Sequence, residues 1–215
     1  MHRSFILIPG FLLISTIALG FNQPTDVALD RKGNIYVADG YGNSRVLKFD
    51  KYGNPLMGWG MKGTGPGQFD LPHTIVIDGD MVYVGDRENA RIQIFDTSGR
   101  YLREWRLGHP FGLVITLDHS IYMADAIAGC ILKIDHDGKV VGVFRGPEPD
   151  WGPHFDPHQI AVDKDGSIFS AEVLGSRPEI PFSFSSRVVL QGRALCWSSR
   201  LRPCCRFSSR PLHSR

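Results

Sequence analysis

Two histidines stand at the same point of two similar segments. His73 follows Pro72 in "LPHTIVID", and His158 follows Pro157 in "DPHQIAVD", 85 residues later. An apolar, strand-like run comes next in each case. Neutral imidazoles that converge are natural zinc ligands, and a catalytic zinc takes three protein ligands and keeps one position open for substrate or water. Two histidines are one short of that set. Each could equally cap a strand start or bond a backbone carbonyl, so the pattern leaves a metal role and a structural role both open. Tyr41 in "DGYGNSR" and Arg87 in "DRENAR" attract attention for the opposite reason, because neither matches its counterpart in the other segments. A residue that breaks a repeat is a better functional candidate than one that keeps it. Arg45 and Arg91 do match each other, as do the strand-end acids Asp39, Asp86, Asp125 and Glu172. These are expected to lock loops and brace the structure with hydrogen bonds and salt bridges.

The elements that must position these side chains follow from self-similarity. Four units begin at Gln23, Leu71, His109 and Asp156, and their prolines Pro24, Pro72, Pro110 and Pro157 are 48, 38 and 47 residues apart. Each unit opens with an apolar run, then a Gly/Asp turn such as "DRKGN" or "DKDG". A second run follows ("IYVAD", "VYVGD", "IYMAD", "IFSAE"), then a third ("RVLKFD", "RIQIFD", "CILKID"). A glycine turn leads into a fourth run ("PLMGWG", "YLREW", "VVGVF"). Alternating Val, Ile, Tyr and Phe favour half-buried strands. Four short strands at a period near 40–45 residues indicate an all-β fold, a β-propeller of four-stranded blades. About three and a half blades are expected over residues 21–175. A propeller brings equivalent positions of successive blades together around its axis, and the position after each proline reads Thr25, His73, Phe111 and His158.

Charge narrows the function. The whole chain carries a net +2, yet eight of its arginines lie from Val173 onward, where Glu179 is the only acid. The preceding body is therefore mildly acidic, which argues against a nucleic-acid partner. Residues 1–20, "MHRSFILIPGFLLISTIALG", have a polar start, a long apolar run and a small-x-small ending. They are expected to be a signal peptide, or else an apolar anchor that is not removed. A signal would make the protein secreted, extracellular or periplasmic, with membrane contact only if that segment is kept. Residues 176–215 form a Ser/Arg-rich tail without turn punctuation, and this tail is expected to be disordered or non-native. Cys130 lies in a strand pattern, whereas Cys196, Cys204 and Cys205 lie in the tail, and no spacing among the four matches a metal knuckle or a redox pair.

"FNQPTDVALD", "VADGYGNSRVLKFD", "GPGQFDLPH", "VGDRENARIQIFD" and "DPHQIAVD" together resemble NHL-repeat propellers. More narrowly they look like the peptidyl-α-hydroxyglycine α-amidating lyases (peptidylamidoglycolate lyases) and their bacterial relatives. The resemblance implies a six-bladed propeller with an axial zinc held by three histidines, and His73 and His158 match two of them. It also implies that Tyr41 is the catalytic tyrosine and Arg87 an active-site arginine. The family's third zinc histidine and its second arginine belong to an earlier blade and have no counterpart here. Gln159 stands where the animal enzyme carries an acid that helps to bind a structural calcium, so the resemblance supports zinc and leaves calcium doubtful. Gly42 replaces a cysteine of animal members and matches the bacterial pattern. The implied reaction cleaves a C-terminal peptidyl-α-hydroxyglycine to a peptide amide and glyoxylate. Zinc would act as a Lewis acid and Tyr41 as a base. A phenol ionises only near pH ~10 unless cations such as zinc and Arg87 assist it. Arg87 could instead pair with the substrate carboxylate. The other function compatible with these repeats is a non-catalytic NHL propeller that binds a protein partner.

Overall fold

A computed structural model describes residues 20–145 and 156–172. The leader expected over residues 1–20, apart from Gly20, and the tail expected over 176–215 lie outside the described residues.

The repeat pattern becomes strands almost unit for unit. The first blade is β1 (Asp26–Leu29), β2 (Ile35–Asp39), β3 (Arg45–Phe49) and β4 (Pro55–Trp59). The second is β5 (Pro72–Asp78), β6 (Met81–Asp86), β7 (Arg91–Asp96) and β8 (Tyr101–Trp105). The third is β9 (Gly112–Ile115), β10 (Ile121–Asp125), β11 (Cys130–Ile134) and β12 (Val140–Arg145). A hairpin, β13 (Pro157–Val162) and β14 (Ile168–Glu172), begins a fourth. Each four-stranded sheet is an antiparallel meander in chain order. The third and fourth strands of each blade slip register once, at Lys48/Phe49, Ile94/Phe95 and Lys133/Ile134. Such a slip bends and twists the outer edge. This is the architecture of a β-propeller, with about three and a half blades present.

Hydrophobic alternation decides how the blades stack. Side chains on a strand point alternately to its two faces, and the second and third blades meet a neighbouring blade on both. Tyr36, Ala38 and Val46 of the first blade pack on Ile75, Val82, Val84 and Phe95 of the second. Tyr83, Ile92 and Ile94 of the second blade pack on Leu113, Met123 and Leu132 of the third. Tyr122, Ala124 and Ile131 of the third then pack on Ile160 and Ile168 of the hairpin. The inner strands β1, β5, β9 and β13 consequently lie side by side in that order.

The turns repeat a single device. Asp30 Oδ1 accepts hydrogen bonds from the backbone N–H groups of Lys32 and Asn34. Asp50, Asp96, Asp135 and Asp163 do the same for the backbone two and four residues on. A carboxylate that satisfies several turn amides stabilises the tight connection that the repeat requires.

Candidate functional site

The four singled-out residues come together at the end of the inner strands where the chain enters each blade. Tyr41 lies in a one-turn helix, α1 (Gly40–Asn43), that is closed by Ser44 in a left-handed conformation. Asp39 holds this turn from below, accepting from Asn22 N, Asn43 Nδ2 and Arg45 Nε at 2.9, 2.7 and 3.0 Å. The turn starts with glycine because the backbone of the next blade is too close for a side chain. A Cβ on Gly40 would lie 2.1 Å from the carbonyl oxygen of Pro72. Thr25 joins the same two blades, its hydroxyl donating to Pro72 O at 2.7 Å. This contact sets Tyr41 against β5, and Tyr41 Oη lies 3.3 Å from His73 Nε2.

His73 is buried near the start of β5. Its Nδ1 lies 2.7 Å from the carbonyl oxygen of Phe111, which can only accept a hydrogen bond, so Nδ1 carries the proton. In the neutral ring the lone pair is then on Nε2, which faces the Tyr41 hydroxyl. Burial pushes the His73 pKa down to about 4, and the nearby Arg87 and His158 add to this against the pull of the Phe111 carbonyl. His158 is likewise lowered, first by burial and then by the Arg87 charge. Both imidazoles are therefore neutral at neutral pH. Their ring centroids are 4.9 Å apart in an edge-to-face arrangement.

Arg87 follows directly on the end of β6. Its backbone N–H donates to Leu71 O at 3.0 Å, and its carbonyl oxygen lies 2.8 Å from His109 Nδ1. The guanidinium reaches back over the site, with Cζ 4.7 Å from the Phe111 ring centroid and 5.7 Å from that of Tyr41. Its Nε is bound to Glu88 at 2.9 Å. Below it the strand-end acid is locked. Asp86 accepts from Asp70 N, Asn89 Nδ2, Arg91 Nε and Gln93 Nε2 at 2.7, 2.8, 2.8 and 3.1 Å. Asp39, Asp86 and Asp125, with Arg45 and Arg91, thus have the bracing role expected of them, and the first two shape the loops that carry Tyr41 and Arg87.

Sequence reasoning missed two residues of this cluster. Phe111 occupies the same repeat position as the histidines and packs beside both, with ring centroids 5.6 Å from His73 and 5.5 Å from His158. His109 precedes the anchoring Pro110 and holds the Arg87 carbonyl. The signal for Phe111 was its repeat position, which calls for an axial neighbour of whatever stands at His73 and His158. No such signal existed for His109, because its partner is a backbone atom from another blade.

Among the described residues, no group of three or more His, Cys, Asp or Glu side chains is close enough to hold a metal ion. Two donors are nevertheless well formed for one. They are neutral and adjacent, and His73 gives its single N–H, on Nδ1, to the Phe111 carbonyl, the arrangement that fixes a ligating histidine through its other nitrogen. Their chemistry suits zinc, which would need at least one further donor beside them. Gln159, beside His158, is exposed and offers only a neutral amide where calcium would favour a carboxylate.

Comparison with known proteins agrees with this architecture. The NHL repeat family model matches residues 21–49 and 69–95. The chain is 43% identical over 178 residues to a probable peptidyl-alpha-hydroxyglycine alpha-amidating lyase of Caenorhabditis elegans, covering 73% of this chain and 48% of that protein. It is 32% identical over 170 residues to peptidylglycine alpha-amidating monooxygenase of Rattus norvegicus, covering 69% of this chain and 17% of that protein. NHL repeat-containing protein 3 of Homo sapiens is 38% identical over 101 residues, covering 45% of this chain and 29% of that protein. The chain therefore spans at most about half the length of these curated relatives. Among solved structures, Kuenenia stuttgartiensis hydrazine synthase has a TM-score of 0.58 at 17% identity, over 78% of this chain and 47% of its own. A streptogramin B lyase has a TM-score of 0.57 at 19% identity, over 69% of this chain and 48% of its own. At such identities the likeness shows the fold alone. The chain carries NHL repeats in a β-propeller architecture, and its sequence is similar to that of amidating lyases.

Proposed function

We propose that this lyase-like NHL propeller acts on the C-terminus of a peptide that ends in α-hydroxyglycine, releasing the peptide amide and glyoxylate. The observation that carries the proposal is the convergence of Tyr41, His73, Arg87 and His158, from three blades, at one end of the inner strands. His73 and His158 would hold zinc together with at least one donor from outside the described residues. Zinc bound there would supply Lewis acidity toward the substrate hydroxyl. Calcium has no support at Gln159. A leader over residues 1–20 would place such a protein outside the cell or in the periplasm.

The chain's own residues divide the remaining work. Tyr41 is half exposed at the mouth of the site, so a substrate can reach its hydroxyl. In this reading Tyr41 takes the proton of the substrate hydroxyl. The C–O bond then becomes a carbonyl, the N–Cα bond breaks, and its electron pair stays on the amide nitrogen, which takes up the proton that Tyr41 accepted. Arg87 uses Nε for Glu88, leaving its terminal nitrogens as a fork for the substrate carboxylate. Phe111 and the two imidazoles wall the site on the blade side.

The test is glyoxylate release from an α-hydroxyglycine-extended peptide, with bound zinc measured in the same preparations. His73→Ala and His158→Ala are expected to lose zinc, whereas Tyr41→Phe keeps zinc and stops release. Unchanged zinc in both histidine variants would sink the metal assignment, and retained release in Tyr41→Phe would remove the base role. The similarity to NHL repeat-containing protein 3 favours a second reading, a non-catalytic propeller that presents this face to a protein partner. Zinc-loaded protein that releases no glyoxylate would select it.

A further inference from the structure

We propose that Phe111 is a positioning residue of this site, its ring a platform that holds the Arg87 guanidinium and its carbonyl the group that fixes the His73 tautomer. The proposal rests on the lyase reading for its kinetic consequence, but not for its geometry. Phe111 stands where the other blades place Thr25, His73 and His158, so the fold directs it to the axis. Its own N–H is tied to Ala124 O at 2.9 Å, which fixes the backbone. Its carbonyl oxygen takes the His73 Nδ1 proton at 2.7 Å. Its ring lies against both histidines. The guanidinium carbon of Arg87 sits 4.7 Å from the centre of that ring, closer than to the Tyr41 ring at 5.7 Å.

An aromatic face attracts a cation through its quadrupole, and a planar guanidinium stacks on it while its edge N–H groups stay available. An aliphatic side chain of similar bulk fills the same space and offers no such face. Among the described residues Arg87 pairs with Glu88, through Nε. The platform therefore settles where the free fork points, which is what a carboxylate-binding arginine needs before substrate arrives.

Phe111→Leu keeps the carbonyl and the apolar bulk and removes the π face, Phe111→Met is a second aliphatic replacement, and Phe111→Trp restores the face. The first readout is the NMR resonance of the Arg87 side chain, assigned by its loss in Arg87→Lys. In the full chain it should carry a ring-current shift that Phe111→Leu and Phe111→Met abolish and Phe111→Trp retains. Zinc content should stay at the wild-type level in all three. For the α-hydroxyglycine peptide, the aliphatic variants should raise KM about three- to tenfold with a smaller change in kcat. An Arg87 resonance that is unmoved in the aliphatic variants, or moved and not rescued by Phe111→Trp, overturns the platform. A resonance that behaves as expected in a protein that releases no glyoxylate supports the platform and refutes the lyase reading instead.

Discussion

Arg91→Ala should destabilise the propeller far more than Arg45→Ala, although the two arginines hold the same repeat position. Arg91 has five N–H donors and uses them all. Nε donates to Asp86 Oδ2, Nη1 to Thr64 O and Glu104 Oε2, and Nη2 to Gly65 O and Gln68 O, at 2.8, 2.8, 2.8, 3.0 and 2.9 Å. Its side chain is 1% exposed and that of Asp86 is 0% exposed. Removing the cation leaves a buried carboxylate without its counter-charge, and three backbone carbonyls lose a donor. Breaking one side of a buried pair costs roughly 3–5 kcal/mol. Arg45 makes the equivalent bond to Asp39 at 3.0 Å, and Asp39 is as buried as Asp86, but the Arg45 side chain itself is 22% exposed, so water can reach the space it leaves. Water can replace part of what it loses, so its removal should cost about 1–2 kcal/mol, between the values for exposed and buried pairs.

Urea midpoints followed by tryptophan fluorescence measure both costs, provided the transition slope m is unchanged. Arg91→Lys should fall between wild type and Arg91→Ala, because an ammonium supplies three donors where the fork supplies five. Equal losses for Arg91→Ala and Arg45→Ala, within about 0.5 kcal/mol, would refute the reasoning. Burial would then not be what distinguishes the two braces. The site has a stake in the result, since Arg87 follows Asp86 immediately and depends on the same loop for its position.

Repeat equivalence yields a second contrast. Val27 and Ile75 are matched wall positions, but Val27 is 58% exposed and Ile75 1%. Ile75→Ala should cost about 2–5 kcal/mol, whereas Val27→Ala should change stability by less than about 0.5 kcal/mol in the same urea assay. A third prediction concerns acid. The hydrogen bond from the Ser98 hydroxyl above all, helped by those from Arg100 and the Ser98 backbone, brings the Asp96 carboxyl down to about 2 against the opposing effect of burial. A depressed folded-state pKa contributes stability that is present above about pH 4 and lost as the pH falls through 2. Wild type should therefore be more stable than Asp96→Asn near neutrality, and the gap should close between about pH 4 and pH 2. A gap that is constant over that window would show that the turn does not hold the carboxylate in its charged form.

Much of this was legible in the sequence because a propeller writes its packing four times. The words around Tyr36, Tyr83, Tyr122 and Phe169 located the second strand of every blade, and the glycine turns located the hairpins. The repeated proline placed His73 and His158 at equivalent points, and ring closure about an axis turns equivalent points into neighbours. Other features depend on contacts between blades that no single unit contains. The helical turn of Tyr41 exists because Gly40 presses on the Pro72 carbonyl 32 residues away. The tautomer of His73 depends on a carbonyl 38 residues downstream, and no residue type announces a backbone acceptor.

The place of the site follows from the same repeat. The wall position is apolar in all four units, as Val27, Ile75, Leu113 and Ile160, and the last three are buried against the adjoining blade. A functional group placed there would be buried without a partner and would cost several kcal/mol. The position after the anchoring proline comes before that wall and points toward the axis. It reads Thr, His, Phe and His across the four units, and the loops after the second strands vary in the same way around Tyr41 and Arg87. These positions can change without disturbing the stacking of blades, and the fold brings them to one end of the inner strands. The candidate site groups therefore stand at positions that vary from unit to unit, and the packing rests on positions that stay apolar in every unit. The two meet at Asp86 and Arg87, adjacent in the chain, one a buried brace and the other the cation over the site.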